Sequence, residues 1–132
     1  MSFLDTTQLS LEAAMSGSME RQTLLTNNLA NADTPGYQPE DVDFQAQLQG
    51  AIQSGQPLSS LSFQPTTASQ SVGADGNGVD SNQTSAEIAE NSLLYQTMSQ
   101  VAGAREEIPR PRWGWADELL RRNQHRRQWP HR

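Results

Sequence analysis

Three absences restrict what this 132-residue chain can be. It has no cysteine, which removes disulfides, thiolate metal sites and a thiol nucleophile, and leaves an oxidising compartment permitted. Its apolar residues never run to the roughly 18–20 needed to span a bilayer. The opening MSFLDTTQLS has neither a basic start nor an apolar core, so no cleaved secretory signal is expected. Large apolar side chains are scarce as well. Leu, Ile, Val and Phe account for 23 residues, and mean hydropathy is −0.72. At this length one domain is the limit, and such a composition leaves little to fill a monomeric core. Two readings follow: disorder, or two long helices that bury their stripes on each other and on further copies.

Basic residues are missing from most of the chain. Residues 1–104 carry one arginine, Arg21, against 11 acids, whereas residues 105–132 carry eight arginines against four acids. Lysine occurs nowhere, and all three tryptophans and both histidines (His125, His131) lie in the basic end. A break of this kind marks a change of origin or role. It also removes histidine from the body of the chain. No nucleophile–base constellation or phosphate-binding loop is present, so no enzyme, cofactor, metal or small-molecule substrate is expected.

What is there is mostly α-helical. A first helix is expected over about 6–31, capped by Asp5 with Gln8 reaching back and Leu4 stapled on Leu9. Leu11, Met15, Gln22, Leu25 and Leu29 share one face at spacings of mostly three and four. Small residues from Ala13 to Ser18 would let another helix approach closely. Thr34-Pro35-Gly36-Tyr37 then stops the helix, because proline pushes its predecessor out of helical geometry and Pro-Gly favours a tight turn.

Residues 32–82 are a turn and spacer, irregular and partly disordered by composition, rich in Gln, Ser, Thr, Gly and Pro. Glu40, Asp41 and Asp43 form a solvated acidic face rather than a cation site. Phe44-x-x-x-Leu48 sets two apolar groups one turn apart, which suits a short amphipathic turn. Asp75-Gly76-Asn77-Gly78 fails as a calcium loop, since Val79 and Ala86 stand where oxygen ligands are needed, and reads as a hairpin or tight turn. Thr84-Ser85-Ala86-Glu87 is a capping box opening a second helix over about 84–108. Ile88, Leu94, Met98, Val101 and Ile108 form its stripe, with Tyr95 beside it. The two amphipathic helices are expected to form a helical hairpin, a coiled-coil-like pair.

The run Asn28-Leu29-Ala30-Asn31-Ala32-Asp33-Thr34-Pro35-Gly36-Tyr37 resembles the signature of the bacterial flagellar axial proteins, the rod and hook subunits. Asp41-Val42-Asp43-Phe44, Asp75-Gly76-Asn77, Val79-Asp80, Glu90-Asn91 and Tyr95-Gln96 resemble the proximal-rod branch. The resemblance covers roughly residues 1–108. It implies a structural subunit of the basal-body rod in the cell envelope, serving motility. By this resemblance the subunit leaves by the flagellar type III route without a cleaved signal. It would assemble with other rod subunits, membrane-ring and export-gate proteins. Its packing faces would be the two stripes, and Phe44 and Leu48 would be the element that the export gate reads.

Residues 109–132 depart from that family, whose members end soon after the second helix. Pro109 and Pro111 stop the helix and an Arg-, Trp- and His-rich run follows. A reading-frame change near Ile108 is the expected origin. Trp113-Gly114-Trp115-Ala116-Asp117 must be encoded TGG-GGN-TGG-GCN-GAY, which one base earlier permits Leu-Gly-Val-Gly and a stop. The competing reading is a protein that binds nucleic acid or an acidic partner through this tail. The acidic body argues against it.

Overall fold

The computed structural model describes residues 3–68 and 71–106, which form a mostly helical chain. Helix α1 (Phe3–Ala30) and helix α3 (Ser81–Glu106) pack antiparallel. The middle segment lies against them with helix α2 (Phe44–Ser54), a 3-10 turn (Leu58–Ser60), and the two-residue strands β1 (Glu40–Asp41) and β2 (Thr66–Thr67). The strands pair antiparallel, Glu40 opposite Thr67 and Asp41 opposite Thr66.

Both long helices begin earlier than their cap signals predict. In α1, Asp5 lies inside the first turn, where its charge suits the helix dipole. Gln8 reaches forward to Glu12 Oε1 at 3.0 Å instead of back. In α3, Asp80 takes the role expected of Thr84: its carboxylate accepts from the Gln83 amide at 3.0 Å and its carbonyl from the Thr84 amide at 2.8 Å. The anionic cap sits four residues upstream and outcompetes a neutral hydroxyl. Thr84 consequently becomes an interior residue, buried against α1.

The middle segment is more regular than its composition predicts. Asp43 caps α2 by accepting from the Ala46 amide at 3.0 Å, and Gly55 closes it in a left-handed conformation. Phe44, Leu48 and Ala51 recur at spacings of four and three and turn one face inward. Gln47 clamps α2 to the returning chain reciprocally, donating to the Gln64 carbonyl at 2.9 Å and accepting from its amide at 2.8 Å. The enclosed core is Val42, Phe44 and Phe63, with Ala14, Leu24, Leu48, Leu61 and Leu94 packed on it. Phe44 and Phe63 meet edge to face, centroids 6.2 Å apart. Phe44 needs Gly17: a Cβ there would lie 2.5 Å from the Cβ of Phe44.

The buried face of α1 is accordingly rotated from the predicted stripe. Ala13, Gly17, Ser18, Leu25 and Asn28 are buried, whereas Leu11 and Met15 are half-buried and Leu29 is exposed. Gly17 and Ser18 belong to the small-residue run expected to admit a close neighbour, whereas Asn28, outside the stripe, is buried for its hydrogen bonds.

Candidate functional site

Three polar constructions organise the molecule. The first is a knot that joins the turn after α1 to the turn before α3. Thr34-Pro35-Gly36-Tyr37 closes with the Tyr37 amide on the Thr34 carbonyl at 3.2 Å, proline second and Gly36 third at φ +74°. Glycine meets that positive φ without steric cost. Upstream, buried Asn28 uses both ends of its carboxamide here. It donates to the Glu40 carbonyl at 2.8 Å and accepts from the Glu40 amide at 3.0 Å and the Tyr37 hydroxyl at 3.3 Å. Asn31 is held by its own turn, donating to the Asn27 carbonyl and accepting from the Thr34 hydroxyl at 3.1 Å.

Asp75-Gly76-Asn77-Gly78 is the other half of this knot. It forms a tight turn with no flanking strands, so it is not a hairpin. Asn77 Nδ2 donates to the carbonyls of Asn31 and Thr34 at 2.9 and 2.7 Å, capping the frayed end of α1 from 43–46 residues away. Backbone bonds from Gly36 to Asp75 and from Gly78 to Tyr37, both 3.1 Å, complete the seal. The two motifs quoted separately from the sequence are one structure.

The second construction is the ion pair of Arg21 and Asp41, bidentate at 2.9 and 3.0 Å. It ties β1 to α1 at about one-quarter exposure. The hydrogen bond to Asp41 is the main cause raising the Arg21 pKa above its ordinary value. Partial burial opposes that, and the charges of Asp41, Glu87 and Glu90 add to it. The third is a node between the long helices at Ser18, Gln22 and Asn91. Composition gave no hint of either partner choice. The one signal was that Arg21 is alone among 11 acids in residues 1–104.

The predicted packing residues are distributed over several environments. Leu25 is buried, while Leu11, Met15, Ile88, Leu94, Tyr95 and Met98 are half-buried. Leu29 and Val101 face solvent at 36% and 48% exposure, joined by Met19 at 58% and Leu93 at 64%. Phe44 is inside the small core, and half-buried Leu48 packs against it. In the ten-residue motif, Ala30, Thr34, Pro35 and Gly36 are exposed and Tyr37 half-buried. Ile108 and the basic tail 109–132 lie outside the described residues.

Chemically this arrangement presents structure, not reactivity. An open cleft of about 820 Å³ lies between α3 and the β1–β2 ladder, walled by Arg21, Asp43, Thr66, Glu87, Glu90 and Leu93. Its one cation is bound to Asp41, and no nucleophile faces a base. Among the described residues no three His, Cys, Asp or Glu side chains gather as metal ligands, and no helix is long and apolar enough to cross a membrane.

Comparison with known proteins agrees with the geometry. The family profile described as flagella basal body rod protein matches residues 11–38, most of α1 and the turn that follows. The chain is 34% identical over 105 residues to the flagellar basal body rod protein FlgB of Escherichia coli K12, covering 64% of this chain and 76% of the relative. It is 31% identical over 110 residues to FlgB of Bacillus subtilis 168, covering 74% and 85%. The chain belongs to the flagellar basal body rod protein FlgB family. It is therefore a structural, non-enzymatic subunit of the basal-body rod, in a family that assembles with other rod subunits. The knot sets how the chain leaves α1 and enters α3.

Proposed function

We propose that this FlgB-family subunit packs into the proximal rod through the outward faces of the α1–α3 pair. There it meets other rod subunits, and membrane-ring and export-gate proteins at the rod's inner end. The observation that carries this reading is the apolar surface left on the pair: Leu93 is 64% and Met19 58% exposed, with Val101 and Leu29 also uncovered. Contacts of this kind, repeated head to tail without closing, build tubes. The rod and its motility function then follow from surface, not from a pocket.

Export belongs to the same proposal. The subunit leaves by the flagellar type III route without a cleaved signal, and Phe44 and Leu48 are the element offered to the gate. Because Phe44 is only 3% exposed once folded, the element is presented before folding.

Replacing Met19 and Leu93 together by aspartate tests the packing. Motility and recovery of the chain in purified basal bodies should be lost while the helical circular dichroism of the isolated subunit is kept. Normal incorporation of the double variant would refute the proposed faces. The same basal-body preparation, digested and examined by mass spectrometry, addresses the tail. A peptide beyond Arg105 that carries the Trp113–Trp115 sequence shows the tail in the assembled protein, and resequencing the gene for a slip site near Ile108 tests the frame change.

A further inference from the structure

The seam between α1 and α3 is closed midway by a carboxamide whose two donor hydrogens are both taken. Asn91 is 1% exposed and Ser18 fully buried. Asn91 Nδ2 donates to the Ser18 carbonyl and to Gln22 Oε1, both at 2.8 Å, and its Oδ1 accepts from Ser18 Oγ at 3.1 Å. Both donor hydrogens and the acceptor are used, across 69–73 residues of sequence. Ser18 sits beside Gly17, the residue that admits Phe44, so the node is referenced to the small core as well.

The surroundings make this placement selective. The apolar residues along α3 recur at near-helical spacing, and an apolar stripe sliding on α1 loses little contact per turn. A slide of one turn, about 5.4 Å, would instead put Ala14 opposite Asn91 in place of Ser18. The carboxamide would then be buried without its hydroxyl donor, a state that carries a full desolvation cost. A slide in the other direction would put Gln22 there and likewise part Asn91 from the Ser18 hydroxyl. A single buried asparagine specifies register and partner number in coiled coils by this means, at some expense in stability.

We infer that the Ser18–Gln22–Asn91 node is the register selector of the helix pair, holding α3 on α1 in one alignment over slipped pairings. This goes beyond the proposed assembly faces and holds whichever surfaces meet in the rod.

The absence of cysteine makes the test direct. Ser16 and Ser99, exposed on α1 and α3, are replaced by cysteine and spin-labelled in the full chain, and the distance distribution is measured by pulsed electron resonance. One narrow distance is expected with the node intact. In Ser18→Ala/Asn91→Leu, which removes both sides of the main bond, thermal stability should be kept or raised. A second distance population, from a slipped alignment, should then appear. Leu25→Ala is the control, since it opens a cavity in the same seam but leaves the node. An unchanged single distance in the monomeric double variant overturns the inference. Equal broadening in Leu25→Ala, or loss of helix in the double variant, overturns it too, because the node would then contribute stability alone.

Discussion

Helix α1 is met by two different surfaces. The middle segment reaches it through apolar side chains, Phe44 and its partners Val42 and Phe63 against Gly17, Ala14 and Leu24. The turns and α3 add carboxamide bonds: Asn91 and Asn77 donate to α1 and its end, and Asn28 of α1 donates to Glu40 beyond the turn. Apolar burial is strong and tolerant of small displacements, about 1.5–3 kcal/mol for each large side chain. Buried amide bonds add less net energy but impose heavy losses on any misplacement. The small core therefore supplies strength, and the polar contacts supply position. A rod subunit, whose product is a repeated geometry, needs both.

The comparison is broken most severely at its apolar side. Phe44→Ala should cost about 3–5 kcal/mol, read as a lowered denaturation midpoint by urea titration, with α2 released first in hydrogen exchange. A midpoint shifted by much less would mean that the middle segment is not the anchor. Gly17→Ala attacks the same contact from the other helix. Its methyl would overlap Phe44, and a loss of about 1–3 kcal/mol is expected from overpacking, relieved when combined with Phe44→Leu in a double-mutant cycle.

On the polar side, Asn28→Ala strands both backbone groups of Glu40 and the Tyr37 hydroxyl. About 2 kcal/mol should be lost, with faster amide exchange confined to residues 34–42 at first. Arg21→Met, measured by thermal melting, should cost only about 1 kcal/mol, because the pair is partly solvated. The sign of its pH dependence follows from the raised Arg21 pKa. Stability from that shift is complete below the ordinary arginine value and lost only as pH rises through the higher folded one. Arg21 therefore adds no slope across neutral pH. The smallest effect carries the opposite sign. Thr84 Oγ1 is buried with no hydrogen-bond partner among the described residues. Thr84→Val should leave stability unchanged or raise it by up to about 1 kcal/mol, and a clear loss would reveal a partner for the hydroxyl.

Much of this arrangement is legible along the chain. The two helices, the turn at Pro35-Gly36 and the turn at Gly76 follow from local rules, since proline, glycine and helical spacing act over a few residues. Helix α2 left a trace too, in Asp43 before Phe44 and Gly55 after Ser54, but the surrounding polar composition masked it. The face of α1 was harder to read. Gly17, Ser18 and Asn28 do not look like core residues, because their burial depends on a partner that arrives from elsewhere. The start of α3 went to Asp80 instead of Thr84 because the carboxylate upstream takes the end amides, which leaves Thr84 inside the helix and buried.

By itself, then, the sequence determined that this protein is helical, that it turns sharply after Ala30, and that it resembles the rod proteins in the motif around Asn31 and Tyr37. Those properties arise from backbone preference and from short patterns. Only the tertiary structure decided that Asn77 caps α1, that Arg21 holds Asp41 and that Asn91 meets Ser18. Each of these joins residues 20–73 positions apart. A polar side chain carries no mark of its distant partner until apolar packing has brought the two within reach.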